Sequence, residues 1–326
     1  MKRLIIAAPI MGLLISGAVP SLACLWDADT IAMERARFPG IEKIIVGKFP
    51  RHSKEFYEWR KKHSEEVLKR DPKQASAYDN LAVAQHKLGD HRGAIATMEA
   101  KERVLPGIYE TYSNRGTFHI YTGELAEAVK WIEQALKINP NAHFGREKYQ
   151  LWLVQWLQAG KPQDDGEDPP QTELGLRGFA GFVAKKAGHA GGGGTWGKGR
   201  LEALGGIAGM MRFADFDNPV LAEVLGDVLW AGEMKDNAAI LAALSYASAS
   251  RHAVAPDEKK RLLKKARTAA SMVPDLKPDA IDRELDAALA EGVKYNEQVR
   301  QDEIAWIKAG RDAAAEFDVK YLKTSK

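Results

Sequence analysis

The sequence predicts an all-α fold in which successive helical hairpins stack into a solenoid, with additional helices towards the C-terminus. The first observation is a repeat with one constant offset, seen in the pairs Tyr78 and Tyr112, Asn80 and Asn114, Gly89 and Gly123, Ala94 and Ala128, and Pro106 and Pro140. The second is that apolar residues recur at steps of three and four, as expected for helices with one buried face. A fixed period in helix-compatible sequence indicates repeated supersecondary units.

The two complete units span 75–108 and 109–142, and each divides into two helices at a glycine turn. Small residues stand where the helices of a hairpin would approach each other, at Ala82 and Ala94 and again at Gly116 and Ala128. This pattern resembles the tetratricopeptide repeat, a helix–turn–helix unit with a period of about 34 residues. The resemblance implies that a larger side chain at Gly116 would push two helices apart.

The repeat phase extends beyond the two complete units. A strong helix is predicted over 53–70, and Pro72 after it precedes Pro106 by one full period. A third unit begins with a helix over 143–157, with its second helix delayed to 172–186 by the acidic, proline-containing stretch 163–170. Ahead of the repeats, a short helix is predicted over 31–38 with Asp29 or Thr30 as its cap.

The C-terminal half predicts further helices without a clear period. They cover 200–213, 219–232, 235–250, 256–272, 278–292 and 293–321. Leu225-Gly226 together with Ala242 and Tyr246 resembles the packing pattern of another hairpin, over 219–250. The expected organisation is a signal peptide (1–23), an N-terminal segment (24–52), the repeat domain (53–162), an acidic and glycine-rich region (163–199) and a C-terminal helical region (200–326).

The N-terminal stretch 1–23 predicts export. Lys2 and Arg3 precede a broken apolar stretch over 4–19, and Ser21-Leu22-Ala23 has the small residues of a cleavage site. Cys24, which is the only cysteine, follows at once. Either it carries lipid, as in the bacterial lipoproteins that this site resembles, or it remains a free N-terminal thiol. The whole pattern is similar to exported bacterial tetratricopeptide proteins, in the periplasm or anchored by lipid at the cell envelope.

Composition and motifs argue against several functional classes. The net charge of +3 falls to +1 without Lys2 and Arg3, which disfavours nucleic acid as a partner. His86 and His91 are expected on different faces of their hairpin, so no metal site is predicted. The tract 187–199 begins like a phosphate loop, but Gly199 stands where Ser or Thr would be required. We therefore predict no cofactor, no catalytic residues and no enzymatic activity.

The resemblance implies a partner-binding groove along the first helices of the repeats. The groove residues expected to be exposed are Asp79, Asn80, Val83, His86, Lys87, Ser113, Asn114, Thr117, Tyr121 and Lys148. Some of them resemble the version that holds a peptide carboxylate, although Val83 and Phe144 depart from it. The expected function is a protein-interaction scaffold that binds a peptide or protein. The alternative is an enzyme, or an accessory subunit of one, with its site in 163–218 or the C-terminal half.

Overall fold

The computed structural model describes residues 25–36, 38–161, 178–188, 195–231, 236–274 and 280–322. Within these ranges the regular structure is helical and contains no strand. The signal peptide, Cys24, the acidic stretch 163–170 and residues 189–194 of the glycine-rich tract lie outside the described residues. In the described part of the chain, no helix combines the length and apolar character needed to cross a membrane.

The described ranges contain fifteen α-helices. They are α1 (Ala28–Arg35), α2 (Ile41–Ile45), α3 (Lys54–Arg70), α4 (Ala75–Lys87), α5 (His91–Val104), α6 (Tyr109–Tyr121), α7 (Leu125–Ile138), α8 (Glu147–Gln158), α9 (Gly178–Lys186), α10 (Thr195–Phe213), α11 (Pro219–Trp230), α12 (Asp236–His252), α13 (Pro256–Ser271), α14 (Ile281–Lys308) and α15 (Ala313–Phe317). The all-α, helical-hairpin fold class is thereby confirmed.

The repeat phase places consecutive helices against each other from α3 to α8. The small residues have the predicted role: a methyl group built on Gly116 would lie 2.6 Å from Ile132 Cγ1 and 3.3 Å from the carbonyl oxygen of Ala128. In the later hairpin α11–α12, Gly226 makes the same kind of close approach to the ring of Tyr246. Side chains of minimal size therefore set the spacing of both hairpins.

The succession of helices closes on itself, because α14 returns to pack against α3. Glu303, which is fully buried, accepts a hydrogen bond from the Ser53 backbone N–H at 2.8 Å and lies 2.6 Å from His52 Nδ1. Arg300 forms an ion pair with Glu55 at 2.6 Å. These contacts join the N-terminal end of the first repeat helix to the long C-terminal helix.

The N-terminal segment fills the centre of the closed arrangement. Helix α1 packs against α4, and α2 packs against α10 and α12. Leu25, Ile44, Ile45 and Phe49 are almost completely removed from solvent. One contiguous core runs from Leu25 to Leu285, so the segment is part of the interior.

The structure shows why α1 and α8 start at residues other than those expected from the sequence. α1 begins at Ala28, because Asp27 accepts the Thr30 backbone N–H and is the cap in place of Asp29 or Thr30. α8 begins at Glu147, later than predicted, because His143 and Phe144 adopt left-handed backbone with φ of 50° and 55°. Residues 178–186 of the predicted delayed helix of the third repeat form α9, and residues 172–177 lie outside the described residues.

The C-terminal boundary was also predicted wrongly. Gly292 was expected to end a helix, but α14 continues through it to Lys308. A methyl group at Gly292 would lie only 2.1 Å from the carbonyl oxygen of Val46, so this glycine allows two segments to touch. The true break is at Gly310, with φ of 68°.

Candidate functional site

Two of the predicted groove residues, Asn80 and Asn114, hold the N-terminal segment of the same chain. α4 and α6 present Asn80 and Asn114 to the backbone of residues 25–28, which enters as extended chain and turns into α1. Phe144, one residue of the left-handed bend, is exposed beside this site. The candidate site is therefore a groove that already holds a peptide segment.

Asn114 makes the most informative contact. Its Oδ1 accepts the Trp26 backbone N–H at 2.8 Å, and its Nδ2 donates to the Trp26 carbonyl oxygen at 2.9 Å. One amide side chain thus forms hydrogen bonds with both backbone groups of one residue. Such an arrangement recognises extended backbone and does not depend on which side chain that residue carries. Nδ2 also donates to Asp79 Oδ1 at 3.3 Å, which orients the amide.

Asp79 forms an ion pair with a buried lysine. Lys101, which is fully buried, donates from Nζ to both oxygens of Asp79 at 2.7 Å. Burial raises the pKa of Asp79 to about 7, although Lys101 favours its charged form. A continuous polar path therefore leads from Lys101 through Asp79 and Asn114 to the backbone of Trp26.

Two further groove contacts are to backbone. Asn80 Oδ1 accepts the Ala28 N–H at 3.0 Å, and His143 Nε2 donates to the Leu25 carbonyl oxygen at 3.1 Å. The Trp26 ring packs edge-on against Tyr109 and His143, at centroid distances of 5.4 and 5.1 Å. Backbone contacts thus fix the segment, while the aromatic contacts define a place for one large side chain.

The expectation that the groove residues are exposed was wrong for most of them. The residues buried against the segment and neighbouring helices are Asp79, Val83, His86, Ser113, Asn114 and Thr117. Asn80, Lys87, Tyr121 and Lys148 are half-buried, and Lys148 pairs with Glu202 at 3.3 Å. The physical reason is that residues 25–36 and the end of α10 cover this face; whether a partner binds there stays a prediction.

Ser113, His143 and Glu147 have the composition of a nucleophile, base and acid. His143 Nδ1 lies 3.3 Å from Ser113 Oγ and 2.5 Å from Glu147 Oε2, while Nε2 is engaged by Leu25. A nucleophilic triad needs the hydroxyl and the carboxylate on opposite ring nitrogens. This cluster does not meet that requirement; it fixes the bend before α8 and holds Leu25.

His86 and His91 correct another expectation. Their Nδ1 atoms lie 3.1 Å apart, so the two residues meet across the Gly89 turn and are not on separate faces. Burial lowers the pKa of His86 well below its usual value and also lowers that of His91. Among the described residues, no group of three or more His, Cys, Asp or Glu is arranged to hold a metal ion.

We expect Asp27→Asn to stabilise the protein in a pH-dependent way. Burial and then neighbouring Asp29 raise the pKa of Asp27 from 3.8 to about 6. Folding therefore favours the protonated carboxyl, and wild-type stability falls as pH rises through this window. From pH 4 to pH 7 the variant should gain about 2.4 kcal/mol relative to wild type. Asparagine remains a good helix cap.

This difference is measured by urea unfolding of both proteins at several pH values. The same change at Asp71, which is exposed, is the control and should show no comparable slope. A stability difference for Asp27→Asn that does not vary with pH would contradict the assignment.

Sequence reasoning missed Lys101 and Arg60. Lys101 continues the buried row of Ala94 and Met98, and Arg60 donates from Nε to Asp29 at 2.8 Å from the buried face of α3. A charged residue on an otherwise apolar helical face was the available signal, since such residues are rarely buried without a partner.

A comparison with known protein families supports the tetratricopeptide assignment of the repeat. The tetratricopeptide repeat family matches residues 109–142, one complete unit. Repeats of this kind serve as scaffolds for protein–protein interaction. A comparison with curated proteins gave no match.

Thirteen chains of solved structures match. One belongs to the structure of Naa15/Naa10 bound to HypK-THB, with 15% sequence identity and a TM-score of 0.31. The match covers 82% of this chain and 42% of that chain, so the protein spans less than half the length of that relative.

Proposed function

We propose that the protein is a non-enzymatic interaction scaffold of the bacterial cell envelope that binds an extended segment of a protein partner in the groove of α4 and α6. The double hydrogen bond between Asn114 and the backbone of Trp26 is the observation that supports it most. A groove that satisfies backbone groups of an extended chain can accept another chain of similar shape. Neither a cofactor nor nucleic acid is part of this proposal.

The segment now in the groove indicates what the partner should contain. Leu25 is buried, Trp26 packs between Tyr109 and His143, and Asp27 begins a helix. A competing partner should therefore offer an apolar residue, then an aromatic residue, then an acidic or polar helix cap. Partner binding requires residues 25–28 to leave, so its apparent affinity is reduced by the cost of displacing them.

Ala28→Pro separates the segment from the groove. The change removes the N–H that donates to Asn80 and leaves every groove side chain unaltered. Proline is tolerated at the first position of a helix, and Asp27 already has the extended backbone that proline requires before it. Ala28 is exposed, which leaves room for the ring. This variant should hold its own segment less tightly and bind a partner more tightly.

The test compares capture of envelope proteins by tagged wild type, Ala28→Pro and the double variant Asn80→Ala/Asn114→Ala. We expect Ala28→Pro to increase recovery of a partner several-fold and the double variant to reduce it by at least tenfold. Exposed Glu133→Ala is the control and should behave as wild type. A partner recovered equally by all four proteins, or recovery that falls in Ala28→Pro and rises in the double variant, would refute groove binding.

Location at the envelope is proposed from the sequence of the leader. If Cys24 carries lipid, metabolic labelling with a fatty acid marks wild type but not Cys24→Ser, and both the protein and its captured partner fractionate with membranes. An unlabelled wild type recovered from the periplasm removes the anchor and leaves the scaffold proposal intact.

A further inference from the structure

A polar cavity of about 220 Å³ lies inside the closed arrangement of helices, next to the groove of α4 and α6. The N-terminal segment, the start of α3, the end of α4 and the end of α10 enclose it. Its charged lining includes Arg51, Lys87, Arg212, Asp27, Asp29 and Asp215. Lys54 and Asp215 are exposed, so the cavity reaches solvent beside them.

Arg212 is a buried cation whose charge is poorly compensated. It is 6% exposed, and its Nε and Nη1 have no hydrogen-bond acceptor among the described residues. Its guanidinium lies 5.3 Å from the ring centroids of both Phe38 and Phe213. Glu34, which attracts this charge, forms its ion pair with Arg146. Burial lowers the pKa of Arg212 to about 10.

Arg51 lines the same cavity and also has a guanidinium nitrogen without a hydrogen-bond acceptor among the residues described. Its Nε is buried and has no acceptor within the described part of the chain. Its guanidinium lies 4.2 Å from the ring centroid of Phe216. Asp215 and Asp217 attract it, but burial is the larger influence and lowers its pKa.

Lys87 adds a third positive charge. Its Nζ donates to the carbonyl oxygens of Phe213 and Ala214 at 2.8 and 3.0 Å, which are neutral acceptors. These bonds hold the ammonium group at the cavity wall. Holding one buried and two half-buried cations with few counter-charges costs folding free energy, which a bound anion would offset.

The carboxylates of the lining are largely committed elsewhere. Asp29 is bound by the guanidinium of Arg60 through Nε and Nη2. Asp27 caps α1 through the Thr30 N–H. Asp215 is the third carboxylate of the lining, and it lies at the exposed rim. Positive charge therefore dominates the inner wall of the cavity.

We propose that this cavity binds a small molecule carrying a carboxylate or phosphate group, which Arg51 and Arg212 hold with Lys87 as a third cation. Planar guanidinium groups match the oxygen geometry of carboxylate and phosphate, and pairs formed away from water are stronger than surface pairs. The aromatic rings next to both guanidinium groups keep them in place, as a preformed anion site requires. The site is separate from the contacts of Asn80 and Asn114 to the segment.

Thermal unfolding of the full-length protein without any partner tests this proposal. Inorganic phosphate and succinate are titrated separately, against sodium chloride at matched ionic strength. A ligand present at a hundred times its Kd should raise the Tm by about 4 °C, in a saturable way. The response should vanish in Arg212→Met and weaken at least tenfold in Arg51→Met, while exposed Arg103→Met keeps the wild-type response.

The Tm of Arg212→Met without added anion distinguishes a role of Arg212 in ligand binding from a role in stabilising the fold. Arg212→Met removes an uncompensated buried charge, so its Tm without added anion should equal or exceed that of wild type. A response to phosphate alone, to succinate alone or to both supports the site and identifies the preferred group. Failure of both anions to exceed chloride, an unchanged response in Arg212→Met, or a lower Tm for the empty Arg212→Met protein would overturn it.

Discussion

Replacing Lys101 with methionine is expected to lower the free energy of unfolding by about 3–5 kcal/mol at pH 7.5, because it leaves the buried Asp79 carboxylate without its cation. Lys101 is completely buried, and its Nζ contacts both Asp79 oxygens at 2.7 Å. Methionine has a similar length and packs well, so the loss comes from the unpaired charge and not from a cavity. Urea unfolding of wild type and variant measures it.

The double variant Asp79→Leu/Lys101→Met is the matched control. Replacing both members of a buried pair by apolar residues is often close to neutral, so most of the lost stability should return. The deficit of Lys101→Met alone should also shrink at pH 5, where Asp79 becomes neutral by taking up a proton. A double variant as unstable as the single one would show that the pair is not the source.

Gly116→Leu is expected to destabilise the protein by at least about 3 kcal/mol, because even the first carbon of the new side chain has no space. That carbon would lie 2.6 Å from Ile132 Cγ1 and 3.1 Å from the Ile132 backbone nitrogen. α6 and α7 would have to separate. Because α6 carries Asn114, the hydrogen bonds between Asn114 and the Trp26 backbone should weaken too. Chemical unfolding and protection of the Trp26 amide from hydrogen exchange report the two effects.

Gly205→Leu is the matched control for that substitution. Gly205 lies within α10, is exposed, and a carbon built on it meets no atom within 4 Å. Leucine has the higher helix propensity, so this variant should gain roughly 0.5–1 kcal/mol. An unchanged melting temperature for Gly116→Leu would contradict the close packing of this hairpin.

The repeat architecture was predictable because it depends on short-range pattern. Gly116 and Ala128 belong to the two helices of one hairpin, and the turn between those helices is marked by Gly123. Ser53 and the helical periodicity after it likewise predicted α3, which begins at Lys54. Helix periodicity and local caps contain this information without any knowledge of distant segments.

The contents of the groove could not be predicted in the same way. Trp26 and Asn114 are far apart in the chain, with a separation of 88, and no local signal connects an extended segment to the amide that binds it. The sequence therefore suggested an open groove. The same limit applies to Gly292, where a glycine needed for contact with Val46 has the appearance of a helix terminator.

The cavity residues do leave a signal in the sequence. Arg212 interrupts the apolar run from Ile207 to Phe213, where a solvent-facing position would not be expected. A charge inside such a run indicates either a buried partner or a ligand. Which of the two applies depends on side chains from other parts of the chain, and only the fold brings Arg51 and Lys87 to the same place.

The return of α14 onto α3 changes how this repeat protein should fold. In an open array each unit touches only its sequence neighbours, so folding can start anywhere and the ends can fray independently. Here Glu55 meets Arg300 across a chain separation of 245, and Gly47 meets Asn296 across 249. These contacts form only after most of the chain is ordered, which raises the contact order and slows folding. Closure thereby exchanges the graded melting of a linear array for a more cooperative, all-or-none transition.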